Sequence, residues 1–227
     1  MYRRLESSEI TRTALSLSDR IALRFPGSGL SRIAKELVGI CQDAAETGAW
    51  LGRPQRLLRA GVVLGFLIIL ITFLGTILGV HVKLAFTTLS EFVQGLQAAI
   101  QNLVFLGIAV LFLLGLERRL KRKRALAALH PLRSIAHIID MHQLTKDPER
   151  WATPEADEKP LATHDMIRYL DFCSDLLAVI SKAAALHVQD FDDSATLAAV
   201  NEIESLTSGL SRKIWQKIVI LDRIVTE

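Results

Sequence analysis

Two kinds of apolar pattern alternate along the chain. In one, apolar side chains recur every three or four positions among polar ones, the period of an amphipathic helix; in the other they run on unbroken. Ile10, Ala14, Leu17, Ile21 and Phe25 set the first pattern from about Ser7 to Arg24, and Pro26-Gly27-Ser28-Gly29 breaks it. A second helix carries Ile33, Leu37, Ile40 and Ala44 and ends near Gly48, after which Gly52-Arg53-Pro54 restarts the chain with a proline suited to an opening helical turn. The unbroken pattern then takes over. Residues 60–80 are 21 positions without a charge and residues 92–116 are 25 more, each long enough to cross hydrocarbon.

Beyond the second run the amphipathic pattern returns. The helix is expected to continue to Leu129, break at Pro131 and resume to about Thr145, while residues 146–160, with Pro148, Pro154 and Pro160, read as a loop. From Thr163 to about Gln189, Met166, Leu170, Cys173, Leu177, Ile180, Ala184 and His187 alternate in steps of four and three, the seam of a coiled-coil-like contact. Asp190 to Asp193 supply a turn and a cap. A last helix, about Ser194 to Asp222, places Leu197, Val200, Ile203, Leu206, Leu210, Ile214 and Ile218 on one side.

These elements predict an all-α integral membrane protein, in which a two-helix transmembrane hairpin carries a cytoplasmic helical bundle formed by the N- and C-terminal segments. The expected divisions are N-terminal cytoplasmic helices over 1–59, a transmembrane helix over 60–80, an external loop over 81–95 and a second transmembrane helix over 96–116. A basic juxtamembrane helix over 117–130 and a C-terminal bundle over 131–227 complete the chain. Residues 81–91 lie at the outer interface or extend the second helix; the pattern fits both.

Charge orients this arrangement. Arg53, Arg56 and Arg59 precede the first apolar run and Arg118, Arg119, Lys121, Arg122, Lys123 and Arg124 follow the second, whereas the intervening segment offers Lys83 alone. Flanking cations stay on the cytoplasmic side, so both termini are expected inside a multi-pass inner-membrane protein. The polar start, Met1-Tyr2-Arg3-Arg4, does not read as a cleavable signal peptide, which leaves the first apolar run as the insertion signal. The net charge of +3 hides a division: residues 125–227 carry ten basic against sixteen acidic side chains. A distal part that is acidic argues against nucleic acid as a partner, despite a pI near 9.0. The six juxtamembrane cations instead suit anionic lipid headgroups. Cys41 and Cys173 stand in apolar helical patterns, as reduced, buried thiols do.

Within the apolar runs two features invite partners. Gly61, Gly65, Ile68, Thr72, Gly75 and Gly79 follow one seam that lets another backbone approach, either the chain's own second span or a neighbouring subunit. Gln94, Gln97 and Gln101 share a face near Asn102, where lipid offers their amides nothing. They either hydrogen-bond between helices or line the mouth of a pore in an oligomer.

The segment from His130 to His142 reads most like chemistry. On a helix His130, Arg133, Ser134, His137 and Asp140 fall along one side, and Leu132, Ile135, Ile138, Ile139 and His142 on the other. His130 and His137 would stand about 10.5 Å apart along the axis, whereas two ligands of one zinc ion lie within about 4.2 Å. Metal would need ligands from elsewhere, such as His164 or His187, and no metal or cofactor is expected. No nucleophile elbow or paired metal-ligand spacing occurs, and Pro26 to Gly29 lacks the Lys-Ser/Thr and preceding strand of a phosphate loop. The polar row is read as a solvated or hydrogen-bonded bundle face, and His142 as a core histidine. The function expected is a membrane-anchored, self-associating scaffold or adaptor without catalysis, recruiting copies of itself or a cytoplasmic protein. A small oligomeric channel is the alternative, and an enzyme built around His137 and Asp140 is the third reading.

Overall fold

The computed structural model describes residues 4–53, 60–68, 70, 71, 74, 75, 89–144 and 162–226, and among them it is helical, without a strand. The elements are α1 (Ser7–Arg24), α2 (Gly29–Gly52), α3 (Leu89–Leu144), α4 (Thr163–Ala185) and α5 (Ser194–Thr226), together with helical residues at 60–68, 70, 71, 74 and 75. The chain forms two compact units: Met1–Arg53 with Arg122–Glu227, and Pro54–Lys121.

The first unit is a helical bundle whose core draws on all five numbered helices. Ile10, Ala14, Leu17, Ile21 and Phe25 are buried, as are all seven members of the α4 seam from Met166 to His187. The α1–α2 turn forms because Gly27 adopts φ 70°, a left-handed conformation natural to glycine, and the Ser28 side chain then accepts the Ser31 N–H at 3.1 Å as an N-cap. Phe25 closes this end against Tyr169 and Phe172, edge to face, with ring centroids 5.5 and 6.2 Å apart.

The helix break expected at Pro131 does not occur: proline sits inside α3. Proline forfeits one main-chain hydrogen bond and crowds the preceding turn, at about 3 kcal/mol. Leu129, Leu132, Ile135, Ala136 and Ile139 flank it and are buried. Burying one large apolar side chain contributes roughly 1.5–3 kcal/mol, so packing outweighs the local cost. There are two smaller departures. α4 ends at Ala185 and passes into a turn instead of reaching Gln189, and Leu197, expected on the buried side of α5, is 45 % exposed. The residues expected to form a loop at 146–160 lie outside the described ones.

The second unit turns its apolar side chains outward. Val63, Phe66 and Ile71 are exposed, as are Ile100, Leu103, Phe105 and Leu111 on α3. Among the described residues one helical stretch, Val93–Leu144, is long and apolar enough to cross a membrane, and its most apolar window is not buried at all. A core helix of a water-soluble domain would bury that window. α3 already begins at Leu89, so residues 89–95, placed in the external loop by pattern, are helical.

Candidate functional site

The basic turns of α3 and the loop before α5 are rich in charge. Glu117 accepts an ion pair from Lys121 at 3.3 Å, one helical turn on, and Lys121 is itself buried. Arg122 donates through Nε and Nη2 to Asp193, at 2.9 and 2.7 Å to Oδ2. The Asp193 side chain is only 1 % exposed. It also caps α5, accepting from the Thr196 N–H and hydroxyl, both at 3.1 Å. The Arg122 guanidinium holds the Asp193 carboxyl below the usual carboxylate range.

Arg124 lies over the Trp50 ring, 4.4 Å from its centroid. Beside it Leu51, Ala125 and Phe191 bury one another in a small satellite core with Trp50 at its edge. The three segments meeting there are the end of α2, α3 just past its apolar part, and the turn before α5. Within the second unit Arg119 stacks on Phe112 at 5.3 Å. The six basic residues therefore have different employments: Lys121 and Arg122 serve ion pairs, Arg119 and Arg124 cover aromatic rings, and Arg118 and Lys123 are exposed. Sequence reasoning put all six on lipid headgroups and missed the Arg122–Asp193 pair. Its one visible signal was the cap role of the acidic turn.

The glycine seam is partly on view. A Cβ on Gly65 would stand 3.5 Å from Leu113 Cδ1, whereas one on Gly61 or Gly75 would meet nothing within 4 Å. Thr72 and Gly79 lie outside the described residues. Gln94, Gln97, Gln101 and Asn102 are all exposed on α3.

The histidine segment disperses. His130 and His137 are exposed, Arg133 pairs with Glu202 at 2.9 Å, and Asp140 accepts from the Gln143 side chain. Ile138, assigned to the apolar side, is 39 % exposed. His142 is half-buried over the start of α2, where Gly29 leaves room for the ring: a Cβ there would come 2.4 Å from His142 Cε1. His164 is exposed beside Asp165, while His187 is fully buried. Among the described residues no group of three or more His, Cys, Asp or Glu is arranged to hold a metal ion.

His187 belongs to the apolar seam by its spacing. Its Nδ1 lies 3.2 Å from the Ala184 carbonyl, but its buried Nε2 has no partner. Desolvation lowers its pKa, so the ring is neutral at pH 7. Cys41 and Cys173 are buried free thiols whose pKa values burial pushes up to about 12.

Comparison with protein-family models, curated proteins and solved structures finds no match for this chain.

Proposed function

We propose that the protein is a membrane-anchored helical scaffold without catalytic activity. Residues 60–80 and 96–116 form a transmembrane hairpin, and both termini lie in the cytoplasm. The observation that carries the reading is the composition of α3: its N-terminal part exposes apolar side chains, and its C-terminal part supplies Leu132, Ile135 and Ile139 to the core of a packed bundle. One helix thus serves as both anchor and structural member. The approach of Gly65 to Leu113 favours the hairpin, because small residues in membrane helices permit close helix contact. Arg118, Lys123 and the outer faces of Arg119 and Arg124 meet anionic headgroups, each cation near the surface contributing about 1 kcal/mol. The bundle offers a surface to copies of the chain or to a cytoplasmic protein.

The exposed amide row at Gln94, Gln97 and Gln101 favours a second reading, an oligomeric pore lined by this face of α3. Conductance and mass separate the two. A scaffold whose mass by light scattering in detergent is that of an oligomer is expected to carry no current when inserted in a planar bilayer. A current altered by Gln97→Ala or Gln101→Ala replaces the scaffold with the pore. A monomeric mass removes self-association.

A further inference from the structure

Two adjoining cavities open on the bundle surface where the end of α1 meets the first turns of α4 and the last turns of α5. The first, about 490 Å³, is lined by Arg20, Leu23, Arg24, His164, Arg168 and Phe172. Its walls carry three guanidinium groups and an imidazole, and no carboxylate. The second, about 280 Å³, shares Arg20, Arg168 and Phe172 and adds Asp171, Asp175 and Trp215 among others. Small-molecule sites typically enclose about 300–1,000 Å³; the pair is of that size but open to solvent, a surface groove with room for one organic anion.

Each of the three arginines has a neighbour. Arg24 is paired with Asp165, Arg168 lies 3.8 Å from Asp171, and Arg20 is stacked 5.4 Å over the Phe172 ring. A guanidinium presents five N–H donors in a flat fork, and a single carboxylate engages at most two of them. The Arg24 and Arg168 side chains remain 49 % exposed, leaving their outward edges to solvent. Such a pair of forks matches a phosphate group, which takes bidentate contacts.

The second cavity supplies what a phosphate alone would not use. Trp215 is 64 % exposed, an unusual placement for the largest side chain on a bundle helix. Its ring presents aromatic surface on which a planar base can stack. Asp171 and Asp175 line the same cavity and are acceptors for sugar hydroxyls. We propose that these adjoining cavities bind a nucleoside phosphate: its phosphate on Arg24, His164 and Arg168, its ribose against Asp171 and Asp175, and its base on Trp215. The proposal is independent of the scaffold reading and of membrane topology, since every residue belongs to the bundle.

Full-length protein in detergent is titrated with AMP and ADP, and in parallel with pyrophosphate and adenosine, following tryptophan fluorescence and binding heat. Saturable binding of AMP or ADP is expected, stronger than that of pyrophosphate or adenosine and weakened by salt. Arg24→Ala with Arg168→Ala is expected to lower nucleotide affinity at least about tenfold, and Trp215→Leu to lower it without changing pyrophosphate binding. Lack of saturation by any nucleotide up to about 1 mM overturns the proposal on the unaltered protein, whatever the variants do. So does pyrophosphate binding as tightly as ADP, or affinity unchanged in both folded variants.

Discussion

Arg122 clasps Asp193 across 71 positions of chain, with Nε and Nη2 both donating to a carboxylate that solvent scarcely touches. The same carboxylate caps α5 through Thr196. One side chain thus joins the helix that emerges from the apolar region to the start of the last bundle helix.

Removing that carboxylate exposes two losses with different chemistry. Asp193→Ala forfeits the cap and the ion pair and is expected to destabilise the bundle by at least the 0.5–2 kcal/mol or so typical of a lost N-cap. Asp193→Asn keeps a capping oxygen and loses the charge, so its thermal midpoint should fall between those of Asp193→Ala and the parent. Equal midpoints for all three proteins would show that the pair contributes nothing.

Acid should weaken the bundle in two stages. The folded pKa of His187 is depressed, so below the ordinary imidazole value of about 6.5 the unfolded chain takes up a proton that the folded one refuses. Stability therefore declines as pH falls from 7 towards 5. The Asp193 contribution is present at neutral pH and is lost only as pH falls through and below the carboxylate range. Denaturant midpoints measured at pH 7, 6 and 5 should decline in the parent and stay flatter in His187→Leu.

Gly52 is fitted against the turn before α5. A Cβ there would lie 2.9 Å from the Cβ of Asp190, which is too short to relieve by a side-chain rotation alone. Gly52→Ala should displace the turn and cost about 1–3 kcal/mol, as overpacking does. Chemical denaturation of the two proteins side by side measures it.

The two thiols should be inert in the folded protein. Burial holds both Cys41 and Cys173 as neutral thiols, with pKa values near 12. A maleimide should label them only after denaturation; rapid labelling of the native protein would place at least one at the surface.

Much of the bundle was legible because helical periodicity reports which face is buried. The α4 seam is buried at every position from Met166 to His187, and so is the stripe of Ile10, Ala14, Leu17, Ile21 and Phe25. Pro131 misled because local propensity says nothing of the tertiary burial around it, and Leu197 because the first turn of α5 follows the Asp193 cap rather than the stripe. The charged site was barely legible. Arg122 and Asp193 are distant in sequence, and six consecutive-looking cations give no sign of which one turns inward. The row from His130 to Asp140 was legible as a helical face, and Gln143, three positions from Asp140, lay within reach of a spacing argument, but Arg133 pairs with Glu202 of another helix, which spacing does not reveal.

The hairpin is tested most directly by labelling intact cells with a membrane-impermeant maleimide, the native thiols being shielded. Lys83→Cys should react from outside, and Ser208→Cys, on the exposed side of α5, only after the cells are permeabilised. Reaction at Ser208→Cys in sealed cells, or protection at Lys83→Cys until they are opened, would contradict the arrangement.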